Sequence, residues 1–67
     1  MIELVINGEP RTFPAPLTLA RLIESLDLTG KRIAIEKNGE IVPRSLHADT
    51  LLASGDRLEI VVAVGGG

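Results

Sequence analysis

The sequence contains no cysteine, tryptophan or tyrosine, and only one phenylalanine and one histidine. Without a thiol there is no disulfide framework, thiolate zinc site, iron–sulfur ligation or cysteine nucleophile, so a 2Fe–2S ferredoxin is excluded. His47 alone cannot build a multi-histidine metal site. Phe13 alone offers no platform on which nucleobases stack. A formal charge of −2, with seven Lys/Arg scattered along the chain, lacks the basic stripe of a nucleic-acid surface. Long apolar runs are also missing: none approaches the ~20 residues that cross a bilayer. The opening "MIELVINGE" has neither the basic flank nor the apolar stretch of a secretion signal. These absences lead to the expectation of a cytoplasmic protein that engages neither nucleic acid nor membrane.

What is present is 67 residues, enough for one small domain. A core of this size rarely supplies more than about 3–5 kcal/mol of net stability. It leaves little room for a deep, dry catalytic pocket, so any chemistry is expected to borrow a partner's pocket.

Ile2, Leu4 and Ile6 alternate with Glu3, Val5 and Asn7, the period of a strand. Asn7-Gly8 then supplies two residues that tolerate the positive φ of a type I′ hairpin turn. The returning segment, residues 9–13, contains Pro10, which cannot donate to a ladder and so belongs at a sheet edge. The period changes in "PAPLTLARLIESLDLTGK". Leu19, Leu22, Ile23 and Leu26 stand at i, i+3, i+4 and i+7, predicting a helix of about three turns. Thr18 is its expected N-cap, Leu17 staples against Leu22, and Gly30 lies where the helix has ended. Ile33 and Ile35 open another strand, Asn38-Gly39 turns it, and residues 40–42 form a brief strand stopped by Pro43. In "SLHAD", Ser45 is expected to cap one loose helical turn. Leu51 and Leu52 are expected to plug the bottom of the core. Ser54-Gly55-Asp56 then turns the chain into a last strand, residues 57–64.

The order strand, strand, helix, strand, short strand, strand has one crossover helix. It predicts an α+β fold: a mixed sheet of four to five strands packed on one helix, the β-grasp (ubiquitin-like) arrangement. A right-handed crossover sets the last strand parallel beside the first. The expected division is residues 1–64 for the body and 65–67 for a flexible glycine tail.

Alternation turns Leu58, Ile60, Val62 and Val64 toward the helix. Val5, Val61, Ala63 and Ala34 are left on the outer face, edged by Glu3, Glu36 and Glu59. Singly exposed apolar residues are normal, whereas a cluster rimmed by charge often marks a docking surface. The tail leaving from its edge favours a partner-docking patch of Val5, Val61 and Ala63. Elsewhere the chemistry is sparse. His47 is expected to be solvated or to cap a helix end, and the scattered carboxylates suggest no acid–base pair. "NGE" and "SGD" are turns rather than phosphate loops. Arg44 follows an edge strand and is a candidate for an ion pair with a partner.

The chain stops at "VVAVGGG". Glycine adds no packing and loses the most entropy on ordering, so three in a row suit a working end better than a structural one. A terminal carboxylate is ionised and unreactive at neutral pH, with a pKa of about 3.3–3.7. It becomes an acyl donor only after activation by another enzyme, typically through a nucleotide phosphate. Glycine leaves the carbonyl uncrowded and threads a narrow channel, and three residues reach roughly 10 Å.

The final Gly66-Gly67, the segment "NGEIVPRS", the "RLIESL" helix and the length together resemble the ThiS family, the sulfur carriers of thiamine (thiazole) biosynthesis. The resemblance spans the whole chain. It implies a carrier protein rather than an enzyme, with no bound cofactor. An E1-like adenylyltransferase of the ThiF type would use ATP to adenylate the carboxylate of Gly67. A persulfide sulfur donor would convert it to a thiocarboxylate, and thiazole synthase of the ThiG type would receive the sulfur. Gly66 and Gly65 would enter the partner's active site behind Gly67. Alternatives are the MoaD-like small subunit of molybdopterin synthase, a β-grasp protein-interaction module with a decorative tail, a modifier attached to lysines, and a glycine end left by cloning. MoaD-like chains are usually longer and richer in aromatics.

Overall fold

The computed structural model describes residues 1–63; Val64 and the expected tail, Gly65, Gly66 and Gly67, lie outside the described residues. β1 (Ile2–Ile6) and β2 (Glu9–Phe13) form the first hairpin, antiparallel, with Ile6 opposite Glu9. Asn7 and Gly8 both hold positive φ, 50° and 84°, the backbone that continues strand twist through a two-residue turn. Pro10 lies in β2, an edge of the sheet, where its missing N–H costs no ladder bond.

The helix α1 (Leu19–Ser25) begins as expected, with the Thr18 hydroxyl accepting from the Arg21 N–H at 3.2 Å. It is shorter than the apolar stripe predicts, two turns instead of three. Asp27 adopts φ 59°. The Asp27 N–H donates to Glu24 O and the Leu28 N–H to Ile23 O, both at 3.0 Å. This is a Schellman ending with an aspartate in the left-handed position. Gly30, expected at that position, instead holds φ 83° in the next turn, which closes when the Lys31 N–H donates to Leu28 O.

β3 (Ile33–Lys37) and the two-residue β4 (Glu40–Ile41) form a second hairpin over Asn38-Gly39. Val42, expected within β4, lies past its end, although its N–H still donates to Ile35 O at 2.9 Å. A 3₁₀ helix follows, Arg44–Asp49, with extended Pro43 at its start and no side-chain cap. Ser45 is therefore inside the turn and caps nothing; the Leu46 N–H finds the Pro43 carbonyl at 2.9 Å. Leu52 is buried, but Leu51 is 63% exposed. Leu51 bridges to Thr18 in extended backbone, where successive side chains point opposite ways, so only one of the two can fill the core.

β5 (Arg57–Val62) completes a five-stranded sheet in the order β2-β1-β5-β3-β4. It runs parallel to β1 and antiparallel to β3. Among the described residues the strand runs to Val62, and the Ala63 N–H donates to Arg32 O at 2.8 Å; Val64, the expected last strand residue, lies outside them. Leu4, Leu19, Leu22, Ile35 and Leu58 are almost wholly buried between sheet and helix, each worth about 1.5–3 kcal/mol relative to exposure. The architecture is the α+β, β-grasp fold: one helix against one face of a mixed sheet whose central strand is the last in sequence.

Candidate functional site

The outer sheet face is set by the inward turn of Ile2, Leu4 and Ile6 in β1 and of Leu58 and Ile60 in β5. Register decides which outer residues meet. Val61 stands directly across from Ala34. Val61 and Ala63 line one shallow cavity of about 310 Å³ together with Arg32, Ile33, Ala34 and Arg44. Val61 is 61% exposed. Of the three expected patch residues, the structure brings together Val61 and Ala63. Val5 pairs with Arg57, four residues back along β5, an offset of about 13 Å at strand rise, and it is half-buried. Arg57 and Glu59 lie on the same face between them. Gly65, Gly66 and Gly67 lie outside the described residues.

Charge on this face is unevenly placed. Glu36 lies directly opposite Glu59, a like-charge pair that costs stability on a strand surface. Toward Ala63, the last described residue, the sign reverses, with Arg32 and Arg44 on the cavity wall. Among the described residues the sole ion pair is Arg21–Glu24 on the helix, 3.8 Å apart and exposed on both sides, which contributes little.

His47 departs from expectation. It is 8% exposed, and its Nε2 lies 3.1 Å from Val42 O. A carbonyl can only accept, so this bond requires the proton on Nε2. The ring is a strut between the end of β4 and the 3₁₀ helix, and it fixes the segment that carries Arg44. Among the described residues no three His, Asp or Glu side chains converge as metal ligands, and no helix is long and apolar enough to cross a membrane. A second hollow of about 270 Å³ opens between the end of α1 and the 3₁₀ helix, lined in part by Ile23, Leu28, Lys31, Ile33 and Arg44.

Sequence reasoning singled out Arg44 alone among the cations here and missed Arg32. The Ala63–Arg32 backbone bond, which ties that arginine to the last described residue, has no local sequence signal.

The model of the ThiS family matches residues 4–67. A thiazole synthase of Paramagnetospirillum magneticum is 46% identical over 66 residues, covering 98% of this chain; the chain spans only 20% of the length of that relative. The ycf40 protein of Porphyra purpurea is 42% identical, with 98% of this chain and 93% of that protein covered. The crystal structure of the thiamine biosynthesis protein ThiS from Geobacter metallireducens superposes with a TM-score of 0.82 at 29% identity, covering 98% of this chain and all of that one. With a family match over residues 4–67 and an architecture shared with a solved ThiS structure, the chain belongs to the ThiS family.

Proposed function

We propose that the protein is a sulfur carrier of thiamine biosynthesis that acts as a co-substrate, its reacting group the carboxylate of Gly67. The carboxylate attacks the α-phosphorus of ATP on an E1-like, ThiF-type enzyme, and pyrophosphate leaves. The terminal sulfur of a persulfide donor then attacks the acyl carbon and displaces AMP, and a thiol reductant opens the resulting S–S link to leave a thiocarboxylate. That sulfur passes to a ThiG-type thiazole synthase. Gly65 and Gly66 carry the end into each partner's site, and the face around Val61 and Ala63 seats the body. ATP-dependent activation implies a cytoplasmic setting.

The observation that carries this reading is the family match through Gly67. It gains support from a segment 46% identical to this chain, matching 98% of it, within a protein named thiazole synthase, since one chain holding both would join donor and acceptor. The test is intact-mass measurement after co-expression with the activating enzyme and sulfur donor. The expected result is replacement of one oxygen by sulfur, lost when Gly67 is deleted while the amide spectrum of the body is unchanged. Adenylation of the truncated chain would refute the assignment. Co-purification with a molybdopterin synthase subunit instead of a thiazole synthase would move the carrier to the MoaD-like alternative.

A further inference from the structure

We propose that Arg32 and Arg44 form a cationic pair at the root of the tail that seats on a carboxylate-bearing rim of the protein into which the tail inserts. The inference rests on the carrier reading and adds to it the chemistry of the contact.

Both arginines are exposed and line one cavity whose remaining wall is Ile33, Ala34, Val61 and Ala63. Each is held in place by its backbone. The Arg32 carbonyl accepts the Ala63 N–H at 2.8 Å, so Arg32 is tied to the last described residue before the tail. Arg44 opens the 3₁₀ helix, braced by the buried His47 ring on Val42 O and by the Leu46 N–H on Pro43 O. Arg44 also borders the neighbouring hollow, where Lys31 adds a third cation; the carboxylate there, Glu24, is the one paired with Arg21.

Neither guanidinium has an ion-pair partner among the described residues. Scarcity of acid is not the cause, because the chain has nine Asp/Glu against seven Lys/Arg. Two of those acids, Glu36 and Glu59, face each other on the same side of the sheet instead of meeting the arginines. Two unpaired forks beside an apolar floor make a socket for carboxylates. Docking would exclude water there and strengthen the attraction, and each fork can take a carboxylate through two parallel bonds.

The depth of insertion identifies the source of those carboxylates. From Ala63 to Gly67 is four residues, a span of at most about 14 Å. A carboxyl threaded to that depth meets the nucleotide, whereas groups at Ala63 remain at the channel mouth. The arginines therefore meet the partner's surface, where anionic groups are Asp and Glu side chains.

The test is ATP–pyrophosphate exchange by the E1-like enzyme from the same organism, with carrier and ATP varied separately at low and high salt. Arg32→Glu and Arg44→Glu should each lower kcat/KM for the carrier by about tenfold or more, because like charges then face each other across the interface. The KM for ATP should not change. The salt dependence seen with the wild-type chain should flatten in the double variant. Arg44→Gln should fall between, which keeps the test independent of any misfolding in the charge reversals, and Arg44→Lys should recover part of the loss. Reversals that behave as wild type overturn the proposal. A raised KM for ATP also overturns it, since the guanidiniums would then act on the nucleotide. No exchange with the wild-type chain would instead sink the carrier reading, before any variant is made.

Discussion

The two ends of β5 are secured very differently. At its start, the Asn38 side chain accepts from the Arg57 N–H at 2.9 Å and donates to Asp56 at 3.1 Å, while the other Asp56 oxygen accepts from the Ala53 N–H at 2.9 Å. Ser54 and Gly55 exchange bonds with the Glu3 backbone at 3.0 and 2.8 Å. In mid-strand, where β1 has already turned, the Asn7 amide stands in for a neighbouring strand: it accepts from the Ile60 N–H at 2.7 Å and donates to Ile60 O at 3.1 Å. Beyond Ile60 the described ladder continues on one side, through Ile33–Val62 pairing and the Arg32–Ala63 bond. Among the described residues, side-chain hydrogen bonds are thus concentrated away from Ala63. The surface around Ala63 presents apolar and cationic side chains.

Substitutions at the two ends test this contrast. The largest effect is expected from Asn7→Ala, which leaves the part-buried Ile60 N–H without its partner and puts a Cβ residue without a stabilising amide at φ 50°. Loss of about 2–4 kcal/mol in urea unfolding is expected from the two contributions. A loss below half a kcal/mol would show that the amide is dispensable. Asn38→Ala, at φ 53° and exposed to solvent, should cost about 1–2 kcal/mol, because water replaces part of what is lost. Val61→Asp, at the single-sided end, should cost at most about 1 kcal/mol in stability yet weaken binding to the proposed E1-like enzyme. Unchanged affinity would make the outer apolar residues bystanders. The smallest change runs the other way. Glu59→Lys converts the Glu36–Glu59 clash into an attractive pair and should stabilise by about 0.2–1 kcal/mol, checked by the same unfolding curves.

Local signals were legible wherever one residue type answers one backbone demand. Both Asn-Gly turns, the Thr18 cap, Pro10 at an edge and the parallel placement of the last strand all follow from pattern, and the structure holds each of them. Properties set by partners distant in sequence were not. The helix exit fell to Asp27 because its Schellman bonds close there first, while Gly30 served the next turn. His47 looked like a loop residue; its burial depends on a carbonyl at the end of β4. The patch of Val5, Val61 and Ala63 was divided by the parallel register of β1 and β5, which alternation within one strand cannot reveal. Arg44 stands out in the sequence after an edge strand, but its place beside Arg32 and Ala63 comes from tertiary placement.

The position of β5 in the sheet bears on how the chain matures at the ribosome. The strand made last among the five is the one at the centre, so β1 and β3 have no bridge between them until residues 57–62 emerge. A nascent chain interrupted earlier holds two separate hairpins, and isolated hairpins are marginal in water. Such fragments would expose their apolar faces and be open to proteolysis. Closure of the sheet therefore waits on residues 57–62, and the body gains its protection from proteases only once that central strand is in place.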